Sequence, residues 1–269
     1  MTAPFFSHIA HGRPAVIGML HLAPLPGAPR YSDNLNWMRE RLLRDAEALA
    51  EGGVDAFIME NFGDAPFYPG RVPVQVVAHM TALALTVKKR FELPLGINCL
   101  RNDGISALAI AHAAGGDFIR VNVLTGARVT DQGIIEGNAH ELLRERDHLQ
   151  VNNIRILADV DVKHSAPLGM PRSLGSEVRD TLQRGLADAL IVSGEGTGQA
   201  TDLEQLRLVK QNAKDAPVFV GSGITIDTAK AYSGVADGLI IGTAFKHQGI
   251  SSNPVELDRV KALMDQLQQ

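Results

Sequence analysis

The chain holds a single cysteine, Cys99, one tryptophan and three tyrosines among its 269 residues. One thiol cannot close an intrachain disulfide, which fits a reducing cytoplasm. So few tyrosine and tryptophan rings leave little for stacking nucleobases. The formal net charge of −4 gives no electrostatic case for binding nucleic acid or an anionic membrane, since gripping a phosphodiester backbone needs clustered lysine and arginine. No apolar run approaches the roughly 18–20 residues of a transmembrane helix, and residues 1–13 lack the apolar core of a secretory signal. The motifs H-E-x-x-H, a P-loop lysine, and G-x-G-x-x-G after a first strand are all missing. Their absence removes zincin, P-loop and dinucleotide-binding readings.

What is present is alternation. Short aliphatic runs at 15–20, 56–59, 95–98, 118–122, 155–161, 189–193, 218–221 and 239–242 are separated by helical periods. Leu35, Met38, Leu42 and Leu49 make one helical stripe, and Val76, Met80, Leu83 and Val87 another. Asn253-Pro254 with Glu256 reads as the start of a last helix. Strand–helix alternation over this length predicts a single-domain (β/α)8 TIM barrel. Glycine followed by aspartate introduces each even strand, at Gly53/Asp55, Gly116/Asp117, Gly185/Asp188 and Gly234/Asp237, whereas Pro14, Pro94 and Pro217 precede odd ones. This period of two strands suggests assembly from (βα)2 units. Strand-to-helix segments 21–34, 61–72, 122–138 and 162–176 are long and read as loops gathered at the strand C-terminal ends, where barrels carry their active sites.

Two glycine turns end the last two strands: Gly221, Ser222, Gly223, Ile224 and then Gly242, Thr243, Ala244. Backbone N–H groups at such turns cradle a phosphate, so these seven residues are the predicted phosphate grip. Strand 5 carries the richest polar end. Alternation puts Asp159, Asp161 and Lys163 on one strand face, a set suited to proton transfer. Asp159 and Asp161 are also candidate ligands for a divalent metal such as magnesium. His21, Glu60 and Arg120 join them as candidate catalytic groups. Asn98, Asn122, His164, Ser193 and Glu195 are candidate substrate contacts. Cys99 is expected to be buried.

The opening Ile17-Gly18-Met19-Leu20-His21-Leu22-Ala23-Pro24-Leu25-Pro26-Gly27 resembles the signature of the BtpA family, which includes SgcQ-type proteins. Residues 52–62, 96–103, 118–122, 159–164 and 236–246 are similar to it as well, so the resemblance covers essentially the whole chain. It implies a ribulose-phosphate-binding-type barrel. It also implies kinship with cyanobacterial proteins tied to photosystem I biogenesis and held peripherally at membranes. Asp161-Val162-Lys163 is similar, more faintly, to the D-x-K core of orotidine-phosphate decarboxylase relatives. Ala166 stands where a further aspartate belongs, and the motif follows strand 5 rather than strand 3, so that reaction is not carried over.

The resulting expectation is an enzyme with isomerase- or lyase-type chemistry on a phosphorylated small molecule, a sugar phosphate or nucleotide-like compound. A non-catalytic assembly factor and a flavin mononucleotide-binding protein are the alternatives. The proline- and aromatic-rich segments 24–31 and 62–68 would serve as substrate lids, as a contact in a homo-oligomer, or as a docking patch.

Overall fold

The computed structural model describes residues 13–170, 172–194 and 199–268. Eight parallel strands run β1 (Ala15–His21), β2 (Ala56–Glu60), β3 (Leu95–Asn98), β4 (Phe118–Val121), β5 (Arg155–Val160), β6 (Ala189–Val192), β7 (Val218–Val220) and β8 (Gly238–Ile241). Each bonds to its sequence neighbours, and β1 pairs with β8 to close the barrel. The helices that follow the strands are α1 (Leu35–Glu51), α2 (Val74–Arg90), α3 (Gly104–Ala114), α4 (Ala139–His148), α5 (Leu174–Arg179), α6 (Leu203–Ala213), α7 (Ile226–Ser233) and α8 (Leu257–Gln268). Among the described residues, no helix is long and apolar enough to cross a membrane.

Period-two alternation decides what fills the barrel. Ile17, Met19, Ala56, Ile58, Phe118, Leu157, Ala189, Ile191, Phe219 and Ile240 form an inner cluster. The opposite strand faces pack against the helices in a larger one. Two glycines make room for the inner rings. A Cβ at Gly96 would lie 2.1 Å from the Phe118 ring, and one at Gly238 would lie 2.2 Å from Phe219. Burying each ring contributes roughly 1.5–3 kcal/mol.

The repeated aspartates do more than turn the chain. Each stands just before an even strand, and its carboxylate accepts the backbone N–H at the start of the preceding odd strand. Asp55 takes Val16 at 2.7 Å, Asp117 takes Leu95 at 2.9 Å, Asp188 takes Ile156 at 2.9 Å and Asp237 takes Val218 at 2.7 Å. Each aspartate returns its own N–H to the carbonyl of that same residue. Each also meets a cation: Arg13, Lys88, the pair Arg146 and Arg155, and Lys210. The four staples hold the barrel at the end opposite its mouth.

Three expectations change. The segment 122–138 is not a plain loop: Ala127–Thr130 and Gly133–Glu136 pair as a hairpin, and Ser165–Pro167 adds antiparallel to form a three-stranded sheet. Its turn runs through Asp131 and Gln132 to Gly133, whose φ of 97° suits glycine. β5 stops at Val160 because Asp161 adopts φ 50°. The last helix begins at Leu257, after Asn253-Pro254, because Val255 first bridges Lys246.

Candidate functional site

Continuing the inward parity of each strand by one step brings polar side chains to the mouth. His21 follows Met19, Glu60 follows Ile58, Asn98 follows Gly96, Arg120 follows Phe118, Asp159 follows Leu157 and Ser193 follows Ile191. Asp159 is their hub. Its carboxylate receives Arg120 Nε at 2.8 Å and Nη2 at 2.7 Å, Asn122 Nδ2 at 3.1 Å and Ser193 Oγ at 3.2 Å. Asn98 donates to Asn122 Oδ1 at 3.2 Å and to the Arg120 carbonyl at 3.1 Å. Burial opposes the Arg120 charge, yet the bidentate Asp159 outweighs it and the guanidinium pKa is raised.

A cavity of about 420 Å³ opens above this network. His21, Glu60, Phe62, Arg120 and Lys163 line one side, and Gly221–Thr225 with Gly242–Ala244 line the other. Both glycine turns therefore share one space with the ionisable strand ends. The Gly221 N–H is engaged at 2.7 Å by the Val192 carbonyl, which corrects its expected part as an anion donor. Ser222, Gly223 and Ile224 give their N–H groups to no carbonyl among the described residues. Gly223 has φ 71°, and a Cβ there would lie 2.0 Å from the Gln199 carbonyl oxygen. Thr225 and Thr228 form a reciprocal capping box that starts α7 directly behind the turn. Arg259 of α8, which the sequence reading missed, also lines this corner and donates to the Ala244 carbonyl at 2.8 Å. Beneath it the buried Lys246 binds Asp45 at 2.7 Å, tying the β8 turn to α1.

The electrostatics sort the mouth residues. Burial, with Lys246 and Lys163 nearby, lowers the His21 pKa to about 3, so the ring is neutral. It stacks on Phe62 with centroids 4.5 Å apart, and its Nε2 lies 3.9 Å from Glu60. Burial raises the Glu60 pKa against the pull of Arg120 and Lys163. Burial together with Arg120 lowers Lys163 to about 8. Cys99 is buried against Met80, and burial raises its thiol pKa well above the ordinary value.

Asp161 is a correction. Its left-handed backbone breaks the alternation that would have aligned it with Asp159 and Lys163. The carboxylate instead holds Arg128 at 2.5 Å and Gln205 at 2.9 Å, in a separate cleft beside the small sheet. Asp159 and Asp161 thus do not converge. Each already faces an arginine, so the pair does not fit a shared divalent cation. Among the described residues, no group of three or more His, Cys, Asp or Glu side chains could hold a metal. Glu195 lies outside the described residues.

A second cavity of about 550 Å³ adjoins the first through Glu60, Phe62, Arg120 and Lys163. Asn122 and His164 line it, together with Arg30, Phe67, Arg101 and the hairpin turn residues Asp131 and Gln132. The sequence reading missed Arg101. It lies in the turn after β3, where no strand or helix period marks an inward position.

Eight parallel strands closed on themselves, each followed by a helix, define a (β/α)8 TIM barrel, here with glycine turns after β7 and β8. The chain belongs to the BtpA family, whose model matches residues 13–269. A protein of Synechocystis sp. named photosystem I biogenesis protein BtpA is 49% identical over 250 residues, spanning 93% of this chain and 86% of that one. Two solved structures share the fold. KGPDC from Streptococcus mutans has a TM-score of 0.57 at 15% identity, covering 95% of this chain and 98% of that one. N-(5'-phosphoribosyl)anthranilate isomerase from Pyrococcus furiosus has a TM-score of 0.59 at 12% identity, with the same coverage.

Proposed function

We propose that the protein is an enzyme acting on a phosphorylated small molecule, with proton-transfer chemistry of the isomerase or lyase kind. One observation carries this reading: a single cavity joins the glycine turns to Glu60, Lys163, His21 and Arg120. The phosphate sits on the N–H groups of Ser222–Ile224 and of the 243–244 turn, with Arg259 nearby. A carbonyl in the same ligand then lies over the strand ends. Lys163 and Arg120 stabilise the oxyanion that develops when a proton leaves the adjacent carbon. Glu60 takes and returns that proton, since its raised pKa brings it toward neutrality, where a general base works best. Neutral His21 shapes the wall beside Glu60, and Asp159 positions Arg120 rather than reacting.

The test uses inorganic phosphate and a panel of hydroxyketone phosphates, with binding measured by calorimetry and carbon-bound hydrogen exchange into D2O followed by NMR. Phosphate should bind, and at least one ester should exchange. Glu60→Gln should slow exchange by roughly 10²–10⁴-fold while ester affinity changes little. Full exchange in that variant would remove Glu60 as the base.

The assembly-factor reading has its own support in the name of the Synechocystis relative and in an exposed apolar row. Ile134 and Val129 pair across the hairpin, and Leu168 and Met170 are exposed in the bend just after the third strand of that sheet. A scaffold role predicts an intact complex-binding activity in Glu60→Gln, which separates the two readings.

A further inference from the structure

The second cavity has a charge imbalance that the phosphate corner does not explain. Arg101 is 5% exposed. Its Nη2 donates to the Lys163 carbonyl at 2.7 Å, and among the described residues no carboxylate lies within ion-pair distance of it. Lys163 likewise has no such partner among the described residues. Arg30 adds a further cation at the rim. Against these stand two acids among the described residues of the lining. Glu60 has its charged form disfavoured by burial, and Asp131 is exposed on the hairpin turn, where it accepts from Gln132. Asp159 is already matched by Arg120. A buried guanidinium with no carboxylate in ion-pair contact is costly, and an incoming anion relieves that cost.

The geometry points to a second anion subsite here, one that takes a carboxylate. We infer that the ligand is a phosphorylated carboxylic acid, its phosphate on the glycine turns and its carboxylate on Arg101. This rests on the phosphate reading of the first cavity. A guanidinium offers the planar fork that a carboxylate matches with two parallel bonds. A second phosphate fits less well, since among the described residues no glycine turn lines this side. Phe62, Phe67 and Leu100 give the carbon skeleton an apolar wall. Glu60 and Lys163, common to both cavities, then face the carbons between the two anions.

Calorimetry with matched pairs tests this: gluconate 6-phosphate against glucitol 6-phosphate, and glycerate 3-phosphate against glycerol 3-phosphate. In at least one pair the acid should bind roughly tenfold tighter than the alcohol. Arg101→Met should erase that preference and leave inorganic phosphate affinity unchanged, and Arg101→Lys should restore only part of it. Equal affinities within both pairs of the unaltered protein overturn the carboxylate subsite and leave the phosphate corner standing. Failure of all four esters and of inorganic phosphate overturns the corner and the two-anion ligand with it. A bisphosphate such as fructose 1,6-bisphosphate binding tighter than either acid overturns the carboxylate assignment in favour of a second phosphate. The wild-type series decides the matter even if the Arg101 variants melt early.

Discussion

At the scale of the residue, burial sets the chemistry of the mouth. His21 illustrates it through stability. Its ring titrates near 6.5 in an unfolded chain and near 3 in the fold. Between those values the unfolded chain holds a proton that the folded one refuses, so stability falls as pH drops through that window. Glu60 acts with the opposite sign, its folded form keeping a proton longer than the unfolded one. Urea midpoints measured from pH 7 to pH 4 should therefore fall less steeply in His21→Leu than in the parent. An identical slope would mean that the histidine is not held neutral. His21, Glu60, Asn98, Arg120, Asp159 and Ser193 were legible in the sequence because one rule, inward parity, governs them all. Asp161 was misread by the same rule, since a single left-handed residue ends the strand before it. Arg101 was illegible because a turn has no period from which to read direction.

At the scale of the element, the β7 turn joins backbone strain to the proposed anion site. Gly223 combines φ 71° with a neighbouring carbonyl where a side chain would go. Backbone cannot swing aside as a flexible side chain does, so Gly223→Ala must open the turn. The expected result is a loss of inorganic phosphate binding by at least tenfold and a lower melting temperature. Unchanged phosphate affinity in a folded variant would separate the turn from the anion. The helices were legible where their stripes were clean, as Val76, Met80, Leu83 and Val87 are all buried on α2. Leu35, counted in the α1 stripe, is 46% exposed at the first turn, where the helix has not yet reached the barrel. The hairpin is not legible because each strand has only four residues and the usual burial is inverted, with Arg128 buried and Val129 exposed.

At the scale of the whole molecule, the fourfold aspartate staple accounts for a sequence repeat that local turn chemistry explained only in part. Glycine and aspartate before each even strand were readable; their cross-strand partner was not, because it lies in the preceding strand across an intervening helix. Each staple belongs to a different strand pair with its own cations, so losses should add. Asp55→Ala and Asp188→Ala, which share no partner, should each cost about 1–3 kcal/mol by freeing the buried N–H of Val16 or Ile156. The double variant should match their sum in denaturant unfolding, and a strong departure from additivity would mean that the staples act as one ring. The placement of these clamps has a practical corollary. The clamps lie at the floor, whereas the 127–136 hairpin, with its turn over the second cavity, is an insert on the roof, the side to which the proposed reading assigns ligand discrimination. With floor and roof held by separate contacts, exchanging a roof segment while keeping the clamped base becomes a workable engineering route.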